Sequence, residues 1–229
     1  MITITNVKTY GWEAAFREMH NLMNSRDKSD SYSAVDCAKC GKIEREGSCK
    51  KEDRDCSGFE CYEIGPNDLD LMKRLRDGDT DHHKIMHMII VSCDITAPLY
   101  WWGEFDVCEV KIADKEFTLD DFSYEHLDIR TRKMLEDIVD ALNDYRSLYI
   151  NYNPDDFEVK GCPSKKDIWW QMIQLLPSSY NQKRTVMLNY EVLSNIYKSR
   201  KNYKLDEWRQ FCEWLKSLPY SKIITCESE

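Results

Sequence analysis

The apolar pattern of this 229-residue chain stops between Ser25 and Pro66, and this gap constrains the fold more than any other sequence feature. Ser, Asp, Lys, Gly and Cys dominate the segment, which is too polar to build a hydrophobic core of its own. Apolar residues recur at regular spacing on both sides of it. We therefore expect a single domain over residues 1–229, interrupted at about residues 31–62 by an insertion that needs another source of order.

Half of the ten cysteines lie in this insertion, with the spacing Cys-x2-Cys-x8-Cys-x6-Cys-x4-Cys. They are Cys37, Cys40, Cys49, Cys56 and Cys61. The first pair, followed by a glycine, lets two thiolates approach one tetrahedral metal, and metal binding would supply folding free energy that apolar burial cannot. Zinc is the simplest candidate, and because it needs four ligands, one of the last three cysteines can be spare. The irregular spacing leaves an iron–sulfur cluster open, and the alternative without metal is a surface loop of reduced or oxidised cysteines.

Composition and charge exclude several classes of protein. Apolar residues make up 42% of the chain and charged residues 32%, which rules out collagen-like, low-complexity and wholly disordered chains. Acidic residues outnumber basic ones by 41 − 32 = 9, and this argues against a protein that coats duplex nucleic acid or an anionic membrane. No apolar stretch is long enough to span a bilayer, and the first residues lack the features of a signal peptide, so we expect a cytoplasmic protein.

Periodicity predicts a mixed α/β fold of the α+β type. Alternating Ile2, Ile4 and Val7 indicate a strand, which is followed by a helix. The apolar face of that helix comprises Trp12, Ala15, Phe16, Met19 and Met23. A short helix with Asn67 as its N-cap is expected next. The β-branched residues within Ile89–Val91 and Ile95–Thr96 favour extended chain, and Pro98 marks a change of direction.

The C-terminal half is predicted to be mostly helical. Its best helix runs from Thr131 to Tyr149, and its apolar stripe comprises Leu135, Ile138, Val139, Leu142, Tyr145, Leu148 and Tyr149. Three further helices are expected, at Lys166–Leu176, Thr185–Lys198 and Leu205–Leu218. Acidic residues begin the last one, where the positive end of the helix dipole favours them.

A basic cluster between Lys183 and Lys204 predicts an anion site within this acidic chain. Its members are Lys183, Arg184, Lys198, Arg200, Lys201 and Lys204, against the single acid Glu191. Arg200 could hold a phosphate or the edge of a uracil-like ring, and Asn189 and Asn195 could contact a ring as well. The alternative is a solvated basic face.

Histidines and aromatic residues give weaker signals. His83 and His87 would share one face if their segment is helical and could then bind metal, but a hydrogen-bonded structural role is the commoner one. Tyr100–Trp102 with Phe105 could stack a planar ring or belong to the core. The sequence contains no Gly-x-Gly-x2-Gly, Walker or Gly-x-Ser-x-Gly motif, so Rossmann, P-loop and serine-hydrolase folds gain no support.

Three stretches carry a recognisable family pattern. They are Ala-Pro-Leu-Tyr-Trp-Trp-Gly-Glu-Phe at 97 to 105, Leu-Leu-Pro-Ser-Ser-Tyr-Asn-Gln-Lys-Arg-Thr-Val at 175 to 186, and Asn189-x5-Asn195-x4-Arg200 followed by Glu207-Trp208. Together they resemble the flavin-dependent thymidylate synthases, and most closely the divergent members carried by phages and gut bacteria. The resemblance covers most of residues 1–24 and 63–225 in order, while the Cys-rich insertion has no counterpart in the family pattern.

The resemblance implies a mixed α/β fold and a homotetramer whose active sites are shared between subunits. It also implies an enzyme that binds FAD and transfers a one-carbon unit from methylenetetrahydrofolate, a folate substrate, to the pyrimidine deoxynucleotide dUMP. A flavin hydride then reduces that unit, and no cysteine of the protein acts as nucleophile.

Residue by residue, the resemblance assigns Asn189, Asn195 and either His82 or His83 to contacts with FAD. It makes Arg200 the catalytic arginine that holds and polarises the pyrimidine. Lys183 or Arg184 would bind the phosphate of the nucleotide, and Glu104 would also contact the substrate.

The sequence departs from the family at its signature Arg-His-Arg-x2-Ser-x2-Glu-x-Ser-x-Arg-Tyr. Val107-Cys108-Glu109 stands in the place of Arg-His-Arg, and no Ser, Glu and Arg-Tyr arrangement follows before Asp121. A second hypothesis is therefore a catalytically degenerate homologue that binds a nucleotide or a protein partner, with the insertion as an interaction module.

Overall fold

The computed structural model describes residues 1–35, 60–77, 80–105, 115–153 and 163–226. Its strands are β1 (Thr3–Tyr10), β2 (Tyr32–Val35), β3 (Glu60–Glu63), β4 (Ile90–Pro98) and β5 (Asn181–Asn189). Its α-helices are α1 (Trp12–Leu22), α2 (Pro66–Arg76), α3 (Leu99–Phe105), α4 (Ile129–Ile150), α5 (Lys165–Leu175), α6 (Tyr190–Arg200), α7 (Asp206–Leu215) and α8 (Lys222–Thr225). Short 3₁₀ helices span Arg26–Lys28, Thr80–Met88 and Leu119–Asp121. This is the mixed helix and sheet composition that the sequence predicts.

The strands form two sheets. One has three strands in the order β1-β4-β5, and the other pairs β2 with β3 in antiparallel register. Tyr32 stands opposite Glu63 and Val35 opposite Glu60, so this ladder joins the two ends of the predicted insertion. Cys61 lies on β3 opposite Ala34. The other four predicted metal ligands, Cys37, Cys40, Cys49 and Cys56, lie outside the described residues.

By its internal contacts the chain divides into two compact units. Unit 1 comprises Met1–Thr5, Asp94–Thr185 and Lys204–Phe211, and unit 2 comprises Asn6–Cys93, Val186–Tyr203 and Cys212–Glu229. Each strand of the three-stranded sheet contributes residues to both units.

Unit 1 has two groups of packed side chains. The first fills the space between α4 and α5 with Phe117, Phe122, Leu135, Val139, Leu142 and Met172. The second is aromatic and joins α3 to the start of α7 through Trp101, Trp102, Phe105, Trp208 and Phe211. Trp101 and Trp102 are fully buried and are therefore core residues, which is the commoner of the two roles expected for them.

Unit 2 is built around α1. Its Trp12 ring packs edge-on against Tyr190 at 5.0 Å and against Tyr220 at 5.2 Å between centroids. The 3₁₀ helix Thr80–Met88 contacts α1, α2 and α6. The predicted apolar face of α1 is buried except for Met23, which is half exposed because the helix ends at Leu22.

Strand β4 confirms the extended structure expected around its β-branched residues. Val91, Cys93, Ile95 and Ala97 are buried at alternate positions, as one face of a strand requires. The chain turns at Pro98, the last residue of the strand, and continues directly into α3.

The helix predicted from Thr185 to Lys198 is wrong in its first five residues. Thr185 to Asn189 belong to β5, where exposure alternates along the strand, and the helix starts only at Tyr190. Asn189 decides this boundary, because its side-chain Oδ1 accepts a hydrogen bond from the backbone N–H of Val192 at 2.8 Å. A capping asparagine lies outside the helical backbone, so the residues before it are free to be extended.

Two other helix predictions need correction. The N-cap of α2 is Gly65 rather than Asn67, and the carboxylate of Asp30 caps the helix by accepting from the N–H groups of Asn67 and Asp68, each at 3.0 Å. Leu148 does not belong to the buried stripe of α4 but is half exposed. At 3.6 residues per turn, position 148 lies far around the helix from Leu142, whereas position 149 returns to its face.

The last long helix, α7, ends at Leu215 and so is shorter than the predicted Leu205–Leu218. None of the helices in the described part of the chain combines the length and the apolar character that crossing a membrane requires.

Candidate functional site

A cleft of about 870 Å³ lies in unit 1. The residues that line it are Met1, Thr3, Thr96, Lys115, Asp120, Asp121, Tyr180, Asn181, Gln182, Lys183 and Arg184. The start of β5 contributes the longest continuous run of these residues, and the segment around the 3₁₀ helix Leu119–Asp121 supplies a lysine and two carboxylates. The cations, amides and hydroxyls of this lining suit a polar ligand that carries negative charge, whereas Asp120 and Asp121 oppose it.

Arg184, one of the two predicted phosphate contacts, is held in a fixed orientation. Its Nε and Nη2 both donate to Oε1 of Gln182, at 3.0 and 2.7 Å. The guanidinium carbon lies 4.7 Å from the centre of the Trp102 ring, and the indole N–H of Trp102 donates to the carbonyl oxygen of Gln182 at 2.9 Å. The stacking and the hydrogen bonds therefore hold the positive charge of Arg184 at a fixed place beside the cleft.

Lys183, the other predicted phosphate contact, is held more loosely. Its Nζ lies 3.4 Å from Oδ2 of Asp94, whose Oδ1 accepts a hydrogen bond from the Thr185 hydroxyl at 2.7 Å. The lysine side chain is 59% exposed. Because an ion pair with such an exposed partner contributes little, Lys183 can turn toward an anion at small cost.

Lys115 and Asp121 form a second ion pair at the cleft. Asp121 also closes the 3₁₀ helix, since its Oδ2 accepts from the N–H and the hydroxyl of Thr118 at 2.9 and 3.1 Å. Burial disfavours ionisation of Asp121, but the hydrogen bonds from Lys115 and Thr118 outweigh it and hold the pKa of the carboxyl below its usual value. The hydrogen bond to Asp121 in turn raises the pKa of Lys115, so both groups are charged at neutral pH.

Tyr180 and Asn181 belong to a well-supported wall of the cleft. The Leu99 N–H donates to the carbonyl oxygen of Tyr180 at 2.9 Å, and the Tyr180 ring packs on Phe122 at 5.6 Å. The hydroxyl of Ser123 donates to Oδ1 of Asn181 at 2.9 Å. These contacts fix the backbone from which Lys183 and Arg184 project.

Glu104, predicted to contact the substrate, is not among the described residues that line the cleft. Its Oε2 accepts a hydrogen bond from the indole N–H of Trp208 at 2.9 Å, which links α3 to α7. A second such link lies beside it, since the hydroxyl of Tyr100 donates to Oε1 of the buried Glu207 at 2.5 Å. Burial and the adjacent Glu207 carboxylate raise the pKa of Tyr100, so the phenol stays protonated.

Helix α6 in unit 2 carries the other predicted contacts. Asn189 is its N-cap, and the exposed Asn195 amide lies 3.4 Å from Oε1 of Glu191. Arg200 ends the helix, with its guanidinium 4.3 Å from the centre of the Tyr203 ring. The basic cluster is thus divided between units, with Lys183, Arg184 and Lys204 in unit 1 and its other three members in unit 2. Cations at the end of α6 also complement the helix dipole, which gives them a structural reason to be there.

His82 and His83 lie on the 3₁₀ helix Thr80–Met88, which packs against α6. A 3₁₀ helix has three residues per turn, so positions 83 and 87 do not share the face that an α-helix would give them. Across the described ranges, no group of three or more His, Cys, Asp or Glu side chains is arranged to hold a metal ion.

A buried polar network in unit 2 is not predicted by the sequence motifs. Nε2 of His20 lies 2.6 Å from Oδ1 of Asp68, and Nδ1 lies 2.9 Å from the hydroxyl of Ser25. Oδ2 of Asp68 accepts from the hydroxyls of Ser29 and Ser31 at 2.7 and 2.6 Å. Because this carboxylate binds serines at the start of the insertion, its role is to fix that point in the chain. An ionisable residue one turn after Phe16 on the apolar face of α1 is the signal that could have revealed it.

Two solved structures share this fold over nearly the whole chain. A thymidylate synthase X (ThyX) from Helicobacter pylori, solved with FAD and dUMP, is 14% identical and covers 99% of this chain and 97% of its own, with a TM-score of 0.56. A flavin-dependent thymidylate synthase ThyX from Helicobacter pylori, complexed with FAD and dUMP, is 14% identical, with coverages of 97% and 98% and a TM-score of 0.51. The chain has the fold of flavin-dependent thymidylate synthases.

This structural likeness confirms two predictions from the sequence: the family resemblance, as far as the fold is concerned, and the α+β class. No protein-family model matches the sequence, and no curated protein matches it. Within this flavin-dependent thymidylate synthase fold, the residues assigned by resemblance fall into two sets. Lys183 and Arg184 line the cleft of unit 1, while Asn189, Asn195 and Arg200 lie along α6 in unit 2.

Proposed function

We propose that the protein is a flavin-dependent thymidylate synthase-like methyltransferase that acts on dUMP with methylenetetrahydrofolate and reduced FAD. The observation that carries the proposal is the likeness of almost the whole chain to Helicobacter pylori structures solved with FAD and dUMP. With these substrates we expect the protein to work in the cytoplasm, as a homotetramer.

The cleft of unit 1 supports the nucleotide part of this proposal. Its volume of about 870 Å³ suits a small polar molecule, and Lys183 and Arg184 supply positive charge for a phosphate monoester. The guanidinium of Arg184 would contribute its fixed positive charge to phosphate binding, and Lys183 adds a mobile point charge. These residues would bind and orient the nucleotide, which is how positioning lowers a barrier.

The donors on α6 fit a flavin. The Asn189 side chain uses its oxygen for the helix cap, which leaves its NH₂ group to donate, and Asn195 presents a second amide at an exposed position. Amide donors suit the carbonyl edge of a flavin ring, and the cations at the end of α6 suit its phosphates. When bound, FAD would supply the hydride for the reduction.

Arg200 would hold the pyrimidine through two parallel N–H groups and stabilise negative charge that develops on the ring. Among the described cysteines, Cys93 and Cys212 are buried, and burial raises the pKa of the Cys212 thiol to about 11. A thiol that stays protonated at neutral pH is a poor nucleophile, which agrees with a reaction that uses no cysteine at this position.

One sequence observation favours a second candidate function. Val107-Cys108-Glu109 replaces the Arg-His-Arg of the family signature, and residues 106–114 lie outside the described part of the chain. Loss of those cations favours a degenerate homologue that binds a nucleotide or a protein partner without catalysis.

Absorption and calorimetry together test these two candidates. Purified or FAD-reconstituted protein with a flavin band supports the enzyme, whereas colourless protein that cannot be reconstituted supports the degenerate homologue. Arg200→Lys keeps the charge but loses the fork, so we expect dUMP binding weaker by about 1–3 kcal/mol with folding nearly unchanged. Arg74→Lys, an exposed arginine paired with Asp70, is the matched control. Equal dUMP affinities of wild type and Arg200→Lys would remove Arg200 from the site.

A further inference from the structure

Lys115 is a cation of the unit 1 cleft that neither the basic cluster nor the family pattern assigns. It lines the cleft together with Lys183 and Arg184. Those two residues are neighbours on β5, whereas Lys115 belongs to a separate segment just before the 3₁₀ helix Leu119–Asp121. Cations from two segments can contact one multi-oxygen anion from different directions, which neighbouring residues of one strand do less well.

The ion pair between Lys115 and Asp121 can dissociate without leaving Asp121 unsatisfied. Lys115 is 66% exposed, while its partner Asp121 is 14% exposed. Lys115 donates to Oδ1 of Asp121, and the two hydrogen bonds from Thr118 go to Oδ2. Asp121 therefore keeps two hydrogen bonds after the ammonium departs, and the exposed Lys115 ammonium is already largely hydrated, which lowers the cost of breaking the pair.

We propose that Lys115 binds the phosphate of the nucleotide by exchanging Asp121 for phosphate oxygens. This inference rests on the proposed function, because it concerns the same cleft. A phosphate dianion competes well with a single carboxylate for an ammonium group, and its terminal oxygens can accept from Lys115 together with Lys183 or Arg184, which leave adjacent positions of β5. Asp120 and Asp121 also line the cleft and oppose the anion, so each cation that contacts the phosphate offsets part of this repulsion.

Asp121 is then a competitor whose charge sets the affinity for the phosphate. Asp121→Asn keeps a side-chain oxygen to accept from Thr118, so the 3₁₀ helix remains capped. It removes the negative charge that binds Lys115 and repels the ligand. We therefore expect this variant to bind phosphate more tightly than the wild type, which a purely structural Lys115–Asp121 pair does not predict.

The test is calorimetric titration of dUMP, deoxyuridine and pyrophosphate into wild type and four variants. Lys115→Met should weaken dUMP binding roughly tenfold, as loss of one charge-assisted hydrogen bond does, and leave deoxyuridine binding unchanged. Lys115→Arg should retain most of the affinity, and Asp121→Asn should increase it several-fold. Lys133→Met is the matched control, since Lys133 is also 66% exposed and pairs with Asp137 at 3.1 Å on α4.

The outcomes separate this inference from the proposed function. If wild type and Lys115→Met bind dUMP equally, the inference is overturned and the proposed function stands. If Lys115→Met loses dUMP and deoxyuridine alike, the role of Lys115 is structural and the inference is again overturned. Wild type that binds pyrophosphate through Lys115 but does not bind dUMP upholds the anion contact and contradicts the proposed function. Wild type that binds neither overturns both.

Discussion

Asp68 shows how one buried carboxylate can determine local order. Its exposed fraction is 1%, and it accepts hydrogen bonds from His20, Ser29 and Ser31. Burial disfavours its ionisation, but the hydrogen bonds from Ser31, Ser29 and His20 outweigh burial, so its pKa lies below the usual value. The ionised carboxylate accepts, so Nε2 of His20 donates to it.

Asp68→Asn should therefore reduce the free energy of unfolding by about 3 kcal/mol at neutral pH, because it disrupts a buried charge network. The matched control is Asp70→Asn on the same helix, whose exposed pair with Arg74 should change stability by no more than about 0.5 kcal/mol. Urea unfolding followed by circular dichroism measures both. Equal effects of the two substitutions would show that the hydrogen bonds of Asp68 do not stabilise the fold.

The free energy of unfolding of wild type and of Asp68→Asn should depend differently on pH. The pKa of Asp68 is lower in the folded chain than in the unfolded one, so its stabilisation is present above the unfolded value, near 4. It is lost as pH falls through the folded pKa. We expect the stability gap between wild type and Asp68→Asn to narrow below about pH 4. A gap that is constant from pH 7 to pH 3 would contradict this assignment.

Among the secondary-structure elements, the contact between α3 and α7 depends on two carboxylates. Glu104 accepts from Trp208, and the buried Glu207, with an exposed fraction of 4%, accepts from the hydroxyl of Tyr100. Glu207 lies in the first turn of α7, so its negative charge also interacts favourably with the helix dipole. The two hydrogen bonds cross between helices at the edge of the aromatic cluster of unit 1.

Removal of the Tyr100 hydroxyl should lower the free energy of unfolding, because the buried Glu207 carboxylate then loses a hydrogen-bond donor. Tyr100→Phe leaves a buried carboxylate without this donor and should destabilise the protein by about 2 kcal/mol. Adding Glu207→Gln should recover part of that loss, because a neutral amide is easier to bury than a carboxylate. Tyr124→Phe, which keeps the ring beneath Arg132, is the control. Chemical denaturation of wild type, Tyr100→Phe, Glu207→Gln, the double variant and the control provides the measurement, and purely additive effects would contradict the coupling.

Asn189, at the boundary between β5 and α6, allows a structural role and a binding role to be tested separately. Asn189→Ala should cost about 1 kcal/mol through loss of the helix cap, whereas Asn189→Ser keeps a capping oxygen and should be nearly neutral. Both variants lack the amide that we propose for FAD. If Asn189→Ser retains stability but binds FAD more weakly, the amide contacts the cofactor. Unchanged FAD binding in Asn189→Ser would leave Asn189 as a cap alone.

The same boundary shows why sequence patterns located some elements and missed others. The helices α4 and α5 were predictable because their apolar residues follow one helical face and their ends carry caps or a following proline. The strand at Thr185 to Asn189 was not predictable, because its short apolar run fits the period of a helix as well as that of a strand. Its extended structure is fixed by its place in the β1-β4-β5 sheet. Likewise Lys115 joins Lys183 only after folding, so no local motif connects them.

For the whole molecule, the family pattern was more informative than composition. The motifs at 97 to 105 and 175 to 186 fall on the end of β4, α3, the end of α5 and β5, which together build much of unit 1. Charge alone predicted an anion site near Arg200 but did not separate the cations of unit 1 from those of unit 2.

The Cys-rich insertion leads to a prediction about metal. The two ends of the insertion are joined by the β2–β3 ladder and by the hydrogen bonds of Ser29 and Ser31 to Asp68. The segment between them has too few apolar residues to fold by burial, so we predict one zinc ion held by Cys37, Cys40 and two of the other three cysteines.

Elemental analysis of protein prepared without chelator should find one zinc per chain in the wild type and in Cys226→Ser, an exposed cysteine outside the insertion. The Cys37→Ser/Cys40→Ser variant should lose the metal, because two ligands cannot hold zinc tightly. Removing zinc by chelation should destabilise the wild type and leave that variant unchanged, since the binding free energy contributes to folding. If the protein instead contains iron and absorbs visible light, the insertion binds an iron–sulfur cluster and not zinc. Wild type without metal, or equal zinc in Cys37→Ser/Cys40→Ser, would mean that the insertion is ordered by other contacts.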